Sequence, residues 1–152
     1  MYALIRSIII VAFLVMATNS NAQKVNTNLK NQNKMNNAAI LHKANEFVKK
    51  GDNEHFLTYC TQNTKWVFTG ERVLNGKKEV RQYMKEFYIE PPVFTVDKTI
   101  EQGDFVVVQG EITLKSANGI YNHYEYCDVW RFESGKIAEL KAYVIEKKLT
   151  NK

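Results

Sequence analysis

The stretch YEYCDVWRFESGKIAEL, residues 124–140, decides the fold. It reads as strand, tight turn, strand, with Glu133-Ser134-Gly135 supplying the hairpin loop. Successive strand residues point to opposite faces, so Tyr124, Tyr126, Asp128, Trp130 and Phe132 share one face. That face is an aromatic row interrupted by one carboxylic acid. A carboxylate is costly to ionise among aromatic rings, so Asp128 is either well paired or chemically useful.

Outward from this hairpin the C-terminal half is β throughout. Val93–Gln102 reads as one strand and Gly103-Asp104 as a turn. Phe105–Lys115 is the next strand, Ser116–Gly119 turns again, and Ile120–Phe132 and Lys136–Glu146 follow. Such strand-turn-strand units make an antiparallel meander.

The N-terminal half is helical. Ala38–Lys50 carries Ile40, Leu41, Ala44, Phe47 and Val48 at helical spacing. Gly51 suits a C-cap, and Asp52 or Asn53 can cap a second helix holding His55, Phe56, Tyr59 and Cys60, closed by Asn63. Lys65–Thr69 is a short strand, and Gly70–Gly76 a loop or hairpin. Lys77–Tyr88 forms a third helix with Val80, Tyr83, Met84 and Phe87 on one side, ended by Pro91-Pro92. Helices first and sheet last predict an α+β layer fold in one domain, residues 38–148.

Before this domain, Met1–Ala22 has the pattern of a secretory signal peptide. Arg6 provides the positive start, Ile8–Met16 is apolar but short for a bilayer span, and Ser20-Asn21-Ala22 fits the cleavage rule. Gln23–Asn37 is rich in Asn and Lys and poor in large apolar residues, the composition of a flexible leader. An exported protein, periplasmic or secreted, is expected, with no membrane association after cleavage.

The full chain carries a formal charge of +5, which becomes +4 without Arg6. Lys and Arg are scattered among Glu rather than gathered in a basic stripe, which argues against a nucleic-acid partner. Cys60 and Cys127 are expected as free thiols, because Cys127 has the parity opposite to Asp128 and points away from the helices. His42, His55 and His123 fall on separate elements without metal-ligand spacing, so no metal is expected. No Gly-rich phosphate loop or Ser-His-Asp pattern occurs, and no cofactor is expected.

The order of motifs resembles the NTF2-like superfamily, in particular its SnoaL-like branch. The residues that carry the likeness are Val48-Lys49-Lys50-Gly51-Asp52, Trp66 ahead of Asn75-Gly76-Lys77-Lys78-Glu79-Val80-Arg81, and Gly103-Asp104-Phe105-Val106-Val107-Val108. Cys127-Asp128-Val129-Trp130-Arg131-Phe132 followed by Gly135-Lys136-Ile137 completes the set. The resemblance implies an NTF2-like or cystatin-like cone: a curved, mixed, mainly antiparallel sheet of roughly four to six strands wrapped around three N-terminal helices. It also implies a pocket between sheet and helices, and a homodimer through the outer sheet face. Fold alone does not settle function in such a family.

By the same resemblance, Asp128 stands where ketosteroid isomerases carry an oxyanion-hole acid. The other members of that set are missing: Ala44 stands at the catalytic tyrosine and Phe68 at the general base. An oxyanion donor without a base cannot abstract a proton, so isomerase activity is not expected. The His-Trp-Asp of polyketide-cyclase relatives is replaced by Leu140-Lys141-Ala142, and the Arg-Asp-Asp set of epoxide-hydrolase relatives is not found. Between Tyr126 and Trp130, an unpaired Asp128 should have a raised pKa.

Glu111 is the candidate replacement base, since Gln109, Glu111 and Thr113 share the parity of the relatives' pocket-facing residues. Its alternative is an exposed position on the outer sheet face. Trp66, Phe68, Tyr83, Tyr126, Trp130 and Tyr143 are candidate ligand-binding walls, or plain core. Three readings follow. One is a binder of an unknown small, largely apolar molecule anchored by Asp128. Another is a lyase, isomerase or hydrolase using Asp128 with Glu111 or a tyrosine. The last is a dimeric interaction module with a filled pocket.

Overall fold

The computed structural model describes residues 36–147. The signal-peptide reading of Met1–Ala22, and the leader reading apart from Asn36 and Asn37, lie outside the described residues. Helix α1 spans Asn37–Val48, and Asn36 is its N-cap, its side-chain oxygen accepting from the Ala39 amide at 2.8 Å. It buries Ile40, Leu41, Ala44 and Val48, the stripe that its periodicity predicts. Helix α2 (Asn53–Thr58) is capped by Asp52, which accepts from the His55 amide at 3.1 Å. Helix α3 spans Gly76–Phe87, and the Glu79 carboxylate reaches back to the Asn75 amide at 2.6 Å. Among the described residues no helix is long and apolar enough to cross a membrane.

Seven strands form one sheet, more than the four to six expected. They are β1 (Cys60–Phe68), β2 (Arg72–Asn75), β3 (Val93–Phe94), β4 (Lys98–Gln102), β5 (Phe105–Lys115), β6 (Tyr121–Glu133) and β7 (Lys136–Glu146). The order is β2-β1-β7-β6-β5, with β3 and β4 both along the far edge of β5. Among the described strands only β1 against β7 is parallel. The extra strands arise where the sequence suggested continuity or coil. Gly70–Gly76 folds partly into β2, and the expected single strand Val93–Gln102 is broken in two.

That break is a β-bulge. Phe94 pairs with Ile112 and Lys98 with Gln109, so Thr95, Val96 and Asp97 oppose only Gly110 and Glu111. Thr95 and Asp97 still donate to the Glu111 and Gln109 carbonyls, at 2.9 and 2.8 Å. Gly110 makes room for it: a Cβ there would collide with the Thr95 carbonyl.

Cys60 lies on strand β1 rather than on the expected helix. Helix α2 stops after six residues, and the Tyr59 carbonyl accepts from the Ile137 amide at 2.8 Å. The chain is thereby drawn into the sheet, with Cys60 opposite Ile137. Both thiols are free. The β6–β7 hairpin turns on Ser134 and Gly135, whose φ angles of 51° and 74° are those of a tight two-residue turn. The core lies between the inner sheet face and the helices, around Phe56, Leu57, Val80, Met84, Phe132 and Ile137.

Candidate functional site

The inner face of β6 presents Tyr124, Tyr126, Asp128 and Trp130, the row that strand parity predicts. Their partners on β5 are Ile112, Gly110, Val108 and Val106, and on β7 Glu146, Val144, Ala142 and Leu140. Small and aliphatic neighbours leave space in front of the row. A cavity of about 260 Å³ occupies it, closed on the other sides by Trp66 and Phe68 of β1 and by Tyr83, Met84 and Phe87 of α3. Tyr88 and Pro92 from the connection after α3, Phe94 of β3, Glu71 from the β1–β2 turn, and Asn45 and Val48 of α1 also line it. The cavity is open, so the reading of a filled cone does not hold.

Edge-to-face packing fixes the aromatic lining. Trp66 meets Trp130 with ring centroids 5.9 Å apart at 90°, and Phe56 at 5.9 Å and 79°. Phe68, Tyr83 and Phe87 form a continuous stack, with centroid separations of 4.7 and 4.6 Å. The Arg72 guanidinium covers the end of this stack, 4.4 Å from the Phe87 ring, and pairs with Glu71 at 2.7 Å.

Asp128 is the acid on the sheet face of this lining, and Glu71 is a second one in the β1–β2 turn. Burial alone pushes the Asp128 carboxyl up to about 7, with no compensating hydrogen bond or cation among the described residues. Three tyrosine hydroxyls sense its charge. Burial holds the pKa of Tyr83, Tyr88 and Tyr126 above the usual phenol value, and Asp128 raises each further; Tyr83 reaches about 12. All three stay neutral wherever Asp128 titrates. Tyr126 donates to the Thr95 carbonyl at 2.7 Å. The Trp66 indole N–H is buried without a partner among the described residues.

Trp66, Phe68, Tyr83, Tyr126 and Trp130 all line the cavity, as the sequence suggests. Two candidates do not. Glu111 pairs in register with Glu125 on the outer face, and its carboxylate accepts from Lys147 at 2.7 Å. It is removed from the site by the alternation of β5, whose inner residues are Val106, Val108, Gly110, Ile112 and Leu114. The proposed Asp128–Glu111 acid–base pair is therefore not assembled. Tyr143 lies opposite Cys127, likewise outside and 40% exposed. The lining also includes residues that the sequence does not single out as site candidates, among them Tyr88, Tyr124, Phe87, Phe94 and Glu71. Tyr124 was signalled by its place in the row and Phe87 by its place on the α3 stripe. Tyr88 sits in an irregular connection with no periodicity to read, and Phe94 lies on β3, a two-residue strand too short to show its own alternation.

The three histidines are separate: His42 lies near Glu46, His55 bonds Asp52, and His123 bonds Thr113 on the outer face. Among the described residues no group of three His, Cys, Asp or Glu side chains is placed to hold a metal.

This helix-lined, aromatic cavity on a curved sheet defines the NTF2-like class. The family model described as SnoaL-like domain matches residues 41–140, and the chain belongs to that family. No curated protein matches it. Among solved structures, an NTF2-like protein of unknown function from Cytophaga hutchinsonii is 24% identical, over 70% of this chain and 96% of its own, with a TM-score of 0.58. An NTF2-like protein of unknown function from Burkholderia pseudomallei is 21% identical, over 72% and 90%, with a TM-score of 0.63. The epoxide hydrolase/cyclase-like enzyme SalBIII, of pyran ring formation in salinomycin, is 17% identical, over 71% and 89%, with a TM-score of 0.66. At these identities the likeness is one of fold.

Proposed function

We propose that this SnoaL-like domain binds a small, largely apolar molecule in the cavity, with Asp128 as its polar anchor. The observation that carries this reading is the half-buried Asp128 carboxyl, unpaired among the described residues, in a 260 Å³ aromatic cavity. Ligand sites are mostly apolar with a few convergent polar groups, and a perturbed acid in a cleft is a site marker. A binder is favoured over an acid–base enzyme because Glu111 faces away. The fold neighbour SalBIII is an enzyme, but among the described residues lining this cavity the one carboxylate besides Asp128 is Glu71, which is paired with Arg72. Native mass spectrometry of protein isolated from its own host tests the reading. A co-purifying small molecule that is lost in Asp128→Asn supports it, and retention in that variant counts against the anchor role.

Two further parts of the proposal concern context. The pattern of Met1–Ala22 supports export. The outer sheet face exposes Ile100, Phe105, Tyr143 and Ile145, a surface suited to pairing two copies. Sedimentation velocity of the mature chain tests the pairing: a monomer at all concentrations would exclude it.

A further inference from the structure

The charge of the cavity wall narrows the ligand class. Among the described residues lining it are two carboxyls, Asp128 and Glu71, and no Lys, Arg or His. The protein as a whole is basic, so this wall runs against its average. The cations at its margin already have partners. Arg72 lies over Phe87 and is paired with Glu71; Lys49 lies 5.2 Å from the Phe94 ring and is paired with Glu46 at 2.9 Å. Neither side chain reaches Asp128, whose carboxyl is perturbed by desolvation alone.

Building on the ligand-binding reading above, we infer that the cavity takes an organic cation, a protonated or quaternary amine on an apolar body, held by the Asp128 carboxylate and the surrounding aromatic faces. A desolvated ammonium needs both things this wall provides. Ring faces replace part of its hydration, most strongly where water is excluded, and a carboxylate supplies the counter-charge. The half-buried carboxylate in turn has no cation beside it among the described residues, and the ligand provides one. The aromatic rings of Trp66, Tyr126 and Trp130 share the wall with Asp128, while in the Phe68–Tyr83–Phe87 stack the rings cover one another and Arg72 already lies over the Phe87 end. Carboxylate and phosphate ligands are disfavoured by the same wall, because two like charges would be buried together without a cation between them.

Three probes of one shape separate the possibilities: naphthylethylamine, acetonaphthone and naphthoic acid. They share a bicyclic apolar body and differ in being cationic, neutral and anionic. Binding is measured by calorimetry at about pH 8, where Asp128 is ionised and the amine still protonated. The expected order is amine over ketone by about tenfold or more, with no binding of the acid. In Asp128→Asn the amine falls to the level of the ketone, whereas Glu111→Gln on the outer face leaves both unchanged. Near-UV circular dichroism confirms that each variant keeps its packing. If the ketone binds and the amine does not, the cation inference is overturned and the ligand-binding reading stands. If none of the three binds, both are overturned. The wild-type ranking alone decides between amine and ketone, so the test does not depend on a variant folding.

Discussion

The Tyr126 hydroxyl donates a 2.7 Å hydrogen bond to the Thr95 carbonyl oxygen, across the sheet from β6 to the bulge beside β5. It passes over Gly110, where an added Cβ would lie 3.1 Å from that hydroxyl and would collide with the Thr95 carbonyl. The contact ties an inner-face residue of the cavity to the irregular edge of the sheet. It also gives the extra bulge residue a fixed position.

Gly110→Ala should therefore destabilise the fold by about 1–3 kcal/mol, the cost of overpacking a closely packed site. Tyr126→Phe should cost about 1 kcal/mol, since it removes one partly buried hydrogen bond and leaves the ring in place. Urea denaturation followed by tryptophan fluorescence measures both. The two losses should fall short of adding in the double variant, because the substitutions act on the same contact.

Asp128 should make stability fall as pH rises. Its folded value of about 7 lies above the ordinary carboxyl value of 3.8, so the folded state holds a proton that the unfolded state has released. Stability from this group is full below the unfolded value and is lost progressively as pH rises from about 4 through 7. The whole effect is on the order of 4 kcal/mol. Of the groups around it, Tyr83, Tyr88 and Tyr126 stay neutral across this window, and Glu71 is tied to Arg72. Exposed acids with lowered values, such as Glu54 beside Arg81, give the opposite slope at lower pH. The clean measurement is the difference in unfolding free energy between wild type and Asp128→Asn. The variant should be the more stable at pH above 7, with the gap closing as the pH falls toward 4. A constant difference would show that Asp128 is not the titrating group.

The legible part of this protein was the part with one dominant period. The β6 row showed the inner face, the acid in it and its raised pKa, because Tyr124 to Phe132 alternate without interruption. Glu111 stays open between the two faces in the sequence reading, although β5 carries a signal for the outer one. Val106, Val108, Ile112 and Leu114 alternate with Gln109, Glu111, Thr113 and Lys115, and the apolar set faces in. Gly110 on the apolar side breaks that pattern by eye, yet marks the close approach of Thr95. Tyr143 was harder to place. Between Arg131–Glu139 and Phe132–Ile137 the register of β7 shifts around Ala138, so parity counted from Ile137 gives the wrong face. Cys60 was read as helical because α2 and the start of β1 are joined without a breaker. Only pairing with Ile137, far along the chain, makes it a strand.

Ser134 offers a stabilising substitution. It is the one non-glycine residue with positive φ among those described, at 51°. Asn or Gly accepts this conformation more readily than Ser, so Ser134→Asn or Ser134→Gly should raise stability by about 0.5–1 kcal/mol. The turn lies at the end of the hairpin away from Tyr124 and Glu146, so ligand binding should not change. Thermal unfolding with and without ligand probe checks both statements, and a loss of stability would contradict the assigned turn geometry.

The two thiols should react at very different rates. Cys60 is 3% exposed, and burial pushes its pKa up to about 12, so it offers neither access nor thiolate. Cys127 is half-buried on the outer sheet face, opposite Tyr143. A chromogenic disulfide reagent should titrate one thiol in the native protein and a second only after unfolding, with Cys127→Ser abolishing the native reaction. The same reaction reports on the outer face. If two copies pair there, the native rate should slow as protein concentration rises through the association range. A rate independent of concentration, in a sample that sediments as a dimer, would place the dimer contact elsewhere on the molecule.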